Sequence, residues 1–319
     1  MIILAIESSC DETAMAIVEN GRKIISNTVY TQIAIHTMYG GVVPEVASRE
    51  HIKKVTYVLD SVLSEANMTL DDIDAVAVTK EPGLIGSLMV GINTAKTISL
   101  CFNKPIIYVN HIHGHIYANY LEEDFTFPLL ALVVSGGHTE LVLMKDHMDF
   151  EVLGETLDDA VGEAYDKVAR VVNVGYPGGP IIDRMAHEGT PTYQLPHIKL
   201  GKDSLDFSFS GLKSAVINLC HNANQRGETI DANNLAASFQ NAVIDVLVSK
   251  TVLAAKQYDV KQVIIAGGVA ANKGLRTSMQ EAMNKLDIKL TVPQFKYCTD
   301  NAAMIAAAAY NQYIKENNN

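Results

Sequence analysis

Short apolar runs and longer amphipathic stretches alternate along this chain, and they do so twice in the same order. Residues 2–6 form an apolar run short enough for a buried strand. A polar turn, Glu7-Ser8-Ser9-Cys10-Asp11-Glu12-Thr13, leads to a second strand at 14–18, and a third at 23–30 completes a meander. Residues 46–66 carry Ile52, Val55, Leu59, Val62 and Leu63 on one helical face. A strand at 75–79, a nearly uncharged helix at 84–100 expected to be largely buried, and a strand at 106–109 follow.

The second half repeats the order. Strands are expected at 129–134, 140–145 and 150–153, with Ser135-Gly136-Gly137-His138-Thr139 as the turn after the first. Helical patterns cover 162–172, 181–187, 235–257 and 273–285. A buried strand lies at 263–266, a short one ends at 291–293, and an Ala-rich helix closes the chain at 301–314. A meander followed by alternating helix and strand, present twice, predicts an α/β fold of two duplicated βββαβα lobes with a cleft between them into which both turns point. The expected division is 1–110 for an N-terminal lobe, onto which a closing helix at 301–319 packs back, and 111–300 for a C-terminal lobe with a nucleotide site.

Composition narrows the function classes. The 319 residues carry 36 Asp+Glu against 25 Lys+Arg, a net charge of −11, so no pervasive basic surface drives nucleic-acid binding. Local basic groups occur at Arg49, Lys53 and Lys54 and at Lys199 and Lys202. The longest stretch without Asp, Glu, Lys or Arg, 24–44, is interrupted by polar side chains, so no membrane span is expected. Four scattered cysteines with no CxxC pair, and a start that lacks a basic n-region, fit a cytoplasmic protein.

Five groups of residues bear on chemistry. His111 and His115, in His111-Ile112-His113-Gly114-His115, share one face of a helix and can share a metal. Asp300 is the best third ligand; its alternative role is an N-cap of the last helix. Asp11 and Glu12 would repel a bare phosphate, and suit either a metal, an amine nucleophile or a general base, or else a solvated turn. Ser135-Gly136-Gly137 lets backbone amides approach an anion. Gly267 to Asn272, between a buried strand and a helix, is a natural nucleotide position, with Asp166 placed to accept from ribose hydroxyls. In Asp206-Phe207-Ser208-Phe209-Ser210-Gly211-Leu212-Lys213 a Ser-capped helix start under two core Phe residues is at least as good a reading as a contact role.

Together these motifs resemble the tRNA adenosine threonylcarbamoyltransferase family (TsaD, formerly O-sialoglycoprotein endopeptidase). The resemblance runs nearly end to end, through Ile6 to Thr13, Gly40-Gly41-Val42-Val43-Pro44-Glu45, Pro82-Gly83-Leu84, Val134 to Thr139, Tyr176-Pro177-Gly178-Gly179-Pro180, Asp206 to Lys213, Gly267 to Asn272 and Cys298-Thr299-Asp300-Asn301. It implies an actin-like, sugar-kinase-like fold. It also implies transfer of the threonylcarbamoyl group from threonylcarbamoyl-adenylate to the exocyclic amine of adenosine 37, in tRNAs reading codons that start with A, with release of AMP. The metal ligands implied are His111, His115 and Asp300, holding one divalent ion, Fe(2+) ahead of Zn(2+). Adenylate contacts, where ATP or AMP also fits, are implied for Val133, Val134, Ser135, Gly136, Gly137, Asp166, Gly179, Asp183 and Asn272, and a reacting-end role for Asp11 and Glu12. The partners implied are tRNA, a smaller paralogue without the metal motif (TsaB) and a P-loop ATPase (TsaE), with helix 84–100 as a candidate paralogue contact. His113 replaces a Glu usual in the family, and Asn110 a frequent His. A metallopeptidase lacks its adjacent Glu base here, a small-molecule kinase would hold magnesium through carboxylate and water, and a scaffold would not need the metal residues.

Overall fold

A computed structural model describes residues 1–196, 200–201 and 203–317; Lys199 and Lys202 lie outside the described residues. The strands are β1 (Ile2–Glu7), β2 (Glu12–Glu19), β3 (Lys23–Thr31), β4 (Ala75–Glu81), β5 (Ile106–Asn110), β6 (Leu129–Val134), β7 (Thr139–Met144), β8 (Phe150–Glu155), β9 (Gln262–Ala266) and β10 (Lys289–Thr291). The helices are α1 (Ile33–Thr37), α2 (Pro44–Ala66), α3 (Ile85–Phe102), α4 (His111–Tyr117), α5 (Val161–Val171), α6 (Gly178–Glu188), α7 (Ser210–Gln225), α8 (Ala232–Gln257), α9 (Lys273–Leu286), α10 (Phe295–Cys298) and α11 (Ala302–Asn317).

Two compact units result, Met1–Asp124 with Pro293–Asn319, and Phe125–Val292. Packing therefore divides the chain at 124/125 and 292/293 rather than at 110/111 and 300/301. The reason is local: α4 packs against α11, where a Cβ at Gly114 would come within 2.6 Å of Ile305. Glycine at that crossing lets the two helices approach.

Each unit holds one five-stranded mixed sheet. The orders, β3-β2-β1-β4-β5 and β10-β9-β6-β7-β8, are the same arrangement read from opposite ends. In the first, β1 pairs antiparallel with β2 and parallel with β4; in the second, β6 pairs antiparallel with β7 and parallel with β9. The expected duplication is thus present in topology as well as in pattern. β1 and β6 are the central strands, buried almost throughout, which is why both read as unbroken apolar runs.

One expectation about the helices holds in large part and one needs correction. In α2, Val58 and Val62 lie in the core and Val55, Leu59 and Leu63 pack partly buried against it, while Ile52 alone of the predicted stripe is well exposed, at 64%. Helix α3, expected to be largely buried, buries only Ser87, Leu88, Gly91, Ala95 and Ile98, and leaves Ile85, Met89 and Leu100 well exposed. It packs on β4, with Ala95 and Ile98 in the same core cluster as Val76 and Val78. By length and composition it is also the one described helix able to cross a membrane.

Candidate functional site

The first unit brings the metal candidates together. Helix α4 starts at the end of β5, where Asn110 caps it by accepting from the Ile112 and His113 amides at 2.8 and 3.3 Å. One turn separates His111 from His115, and their rings meet edge to face at 4.6 Å between centroids. Asp300 arrives from the other end of the chain, just before α11. Asn301, not Asp300, occupies the capping position there, accepting from the Met304 amide at 3.1 Å. The Asp300 carboxylate instead stands 3.5 Å from His111 Nε2 and 3.2 Å from His115 Nε2. One ligand atom from each of the three lies within 4.8 Å of the others.

Glu7, which the sequence reading passed over, ends β1 beneath His111. Its Oε2 is 3.1 Å from His111 Nδ1, it accepts from the Thr79 hydroxyl, and its Oε1 accepts from the Ser9 amide at 2.6 Å. Buried completely, this carboxylate would be pushed up by desolvation, yet the facing His111 holds it below the usual carboxylate range. Burial works against charge on His111 as well, but Asp300 and Glu7 outweigh it and push its pKa to about 9. Burial also takes His113 down to about 4, so it stays neutral and lies outside the trio.

His115 tests whether these residues fit a metal. Both of its ring nitrogens are buried without a hydrogen-bond partner, and the approach of Nε2 to Asp300 lacks hydrogen-bond geometry. An imidazole so placed is costly unless a cation takes its lone pair. The acids nearby agree. Glu12 is held well above its ordinary pKa by burial and then by the negative charges of Asp300 and Asp11. Two imidazoles and one carboxylate, amid excess acid, form a donor set suited to a divalent transition metal.

The acidic turn is pinned from several sides. Gln32 N donates to the Asp11 carbonyl at 3.0 Å, Thr31 Oγ1 donates to Glu12 Oε1 at 3.1 Å, and Leu84 N donates to the Ser9 carbonyl at 2.8 Å. Gly83 permits this last approach, because a Cβ there would come within 2.7 Å of the Ser9 oxygen.

The second unit gathers the adenylate candidates. Val133 and Val134 end β6, and the Ser135 side chain folds its own turn by accepting from the Gly137 and His138 amides at 3.3 and 3.0 Å. Helix α5 starts against this turn: the Gly162 amide donates to the Ser135 carbonyl at 3.1 Å. One turn further on, Asp166 accepts from the Gly178 amide at 2.7 Å and so fixes the start of α6, which carries Gly179 and Asp183. Burial raises the pKa of this carboxylate.

Asn272 caps α9 through the Leu275 amide at 2.8 Å and donates to Gln240 Oε1 at 2.7 Å. Gln240 in turn donates to Asp183 Oδ1 at 3.0 Å, and Tyr165 donates to Gln240 Oε1 at 3.3 Å. Tyr165 and Gln240, neither foreseen, tie α5, α6, α8 and α9 into one support. A Cβ added at Gly136, Gly137, Gly179 or Gly268 would meet nothing within 4 Å. Elsewhere, a helix does start within residues 206–213 under two fully buried Phe residues, Phe207 and Phe209, but no serine caps it: Asp158 accepts from the Phe209 and Ser210 amides at 2.8 and 3.2 Å.

Comparison with known proteins decides the family. The sequence pattern of TsaD, tRNA N6-adenosine threonylcarbamoyltransferase, matches residues 23–307. The chain belongs to the tRNA N6-adenosine threonylcarbamoyltransferase family. A relative so named from Staphylococcus saprophyticus is 60% identical over 309 residues, 97% of this chain and 90% of its own. Another from Staphylococcus aureus is 57% identical, over 98% of this chain and 92% of its own. Among solved structures, full-length HypF in its phosphate- and nucleotide-bound form superposes with a TM-score of 0.65 at 14% identity, over 98% of this chain and 46% of that one. A ROK family glucokinase from Streptomyces griseus superposes at 0.50 and 11% identity, over 97% and 98%. These likenesses establish the actin-like, sugar-kinase-like fold. The chain is a transferase that modifies tRNA.

Proposed function

We propose that the threonylcarbamoyl donor is threonylcarbamoyl-adenylate, that the acceptor is the exocyclic amine of adenosine 37 in tRNAs reading ANN codons, and that His111, His115 and Asp300 hold a divalent metal, Fe(2+) ahead of Zn(2+). His115 carries the metal reading, because a cation is the partner that its buried, unsatisfied Nε2, facing Asp300, lacks. When bound, the ion supplies Lewis acidity that offsets charge growing on the leaving phosphate.

This chain's own residues do the rest. Val133 to Gly137, Asp166, Gly179, Asp183 and Asn272 form the adenylate seat, with the glycines allowing backbone amides close to the phosphate. The donor is a mixed anhydride, so its carbonyl is already activated and AMP leaves readily. What remains is to hold a weakly nucleophilic aryl amine against that carbonyl, and to take its proton as the C–N bond forms. Asp11 or Glu12 accepts that proton.

The test is transfer of labelled threonine to tRNA, with the partners and an adenylate source present. Label is expected in tRNA with the untreated enzyme, none after chelation and dialysis, and label again after Fe(2+) is restored. Undiminished transfer by chelated, metal-free enzyme would remove the metal from the reaction.

The acidic net charge suits an enzyme that reaches tRNA with help, from a paralogue (TsaB) and a P-loop ATPase (TsaE). The outer faces of α2 and α3 favour the paralogue contact. They line an apolar groove of about 670 Å³ that includes Ile52, Val55, Leu59, Met89, Val90 and Ile98. Met89→Glu places a charge on this exposed face. It is expected to weaken the paralogue at least tenfold, about 1.4 kcal/mol, with an unchanged melting temperature. Sedimentation of the mixed proteins measures the first and calorimetry the second.

A further inference from the structure

His51 lies on the inner side of α2, fully buried, one residue before the exposed Ile52. Its ring reaches two places in the acidic turn. Nε2 is 2.9 Å from the Cys10 carbonyl, and Nδ1 is 2.7 Å from Thr13 Oγ1. A carbonyl only accepts, so Nε2 carries the proton and Nδ1 accepts from the threonine hydroxyl. A single neutral imidazole thus bridges the residue before Asp11 and the residue after Glu12. The ties from Gln32, Thr31 and Leu84 each hold one point of this turn.

We propose that His51 is a positioning residue for the transfer reaction, a clasp that fixes the turn so that the Asp11 and Glu12 carboxylates meet the amine at hydrogen-bond distance. This rests on the reading that one of these acids takes the amine proton. Two features favour positioning over mere packing. Both ring nitrogens are used, and the two partners flank the acidic pair, Cys10 before Asp11 in the turn and Thr13 after Glu12 at the start of β2. A leucine would fill similar space and make neither bond.

The experiment follows labelled threonine transfer by the full chain with its partners, adenylate donor and tRNA, for His51→Leu, His51→Gln and Thr13→Val. Asp11→Asn and Glu12→Gln are run beside them. His51→Leu is expected to lower kcat roughly 30-fold, with KM for tRNA and donor within about twofold and metal content unchanged. His51→Gln, whose amide can donate to the Cys10 carbonyl, is expected to recover to within about fivefold of wild type. Thr13→Val falls between them, and it decides the matter if His51→Leu does not fold. Wild-type kcat in folded, metal-loaded His51→Leu or Thr13→Val overturns the clasp, as does His51→Gln no better than His51→Leu. Wild-type kcat in both acid variants instead removes the premise, and the proposal falls with it.

Discussion

Asp300→Ala is expected to leave the fold intact, to drop bound divalent metal from about one equivalent to near zero, and to lower threonine transfer at least 100-fold. The fold should survive because the cap of α11 belongs to Asn301, and the Gly114 crossing with Ile305 does not involve the carboxylate. Metal should be lost because, among the described residues, this carboxylate is the one that groups with both imidazoles. His115→Ala should do the same, since it removes the imidazole whose nitrogens have no hydrogen-bond partner. Asn301→Ala is the contrasting control: it costs about 1 kcal/mol of stability through the lost cap and keeps the metal. Elemental analysis after dialysis, calorimetry and the transfer assay separate these outcomes. Full metal content in Asp300→Ala would rule out the carboxylate as a ligand.

The contrast between Asp300 and Asn301 also shows where sequence reading runs out. Two adjacent residues with capping chemistry stand before a helix, and only geometry assigns the cap. The strands were legible because β1 and β6 are central in their sheets, and burial on both faces leaves an uninterrupted apolar run. Helix α3 misled for a related reason. Apolar composition reports that a face leaves water, not whether it meets the protein's own core or a groove such as the one it lines with α2.

Glu7, His51, Tyr165 and Gln240 were missed because each is a polar group at a position that the apolar pattern assigns to the interior. Their partners lie far along the chain: Glu7 reaches Thr79 and His111, and Gln240 reaches Asp183 and Asn272. A buried polar side chain must find its partners somewhere, but periodicity does not say where. A glutamate closing an apolar strand, and a histidine within an amphipathic helix, were the available signals.

Glycines give the second large effect, because the structure sorts them by what forces them to be glycine. Gly267 has φ +91°, and a Cβ there would come within 2.4 Å of the Val134 carbonyl oxygen. Gly267→Ala is therefore expected to cost about 3 kcal/mol, lowering the melting temperature by about 6–10 °C. Gly137 and Gly179 are different: neither has a positive φ, and a Cβ at either meets nothing within 4 Å. Backbone conformation and neighbouring groups do not demand glycine at these two positions, whereas close approach of the proposed donor's phosphate would. Gly137→Val and Gly179→Val are expected to melt within about 2 °C of wild type, yet to raise KM for the adenylate about 100-fold, ~2.7 kcal/mol. Calorimetry and donor titration in the transfer assay measure the two effects on the same samples. If both valine variants used the donor as well as wild type does, the adenylate would have to sit elsewhere, and the open glycines would be ordinary turn residues.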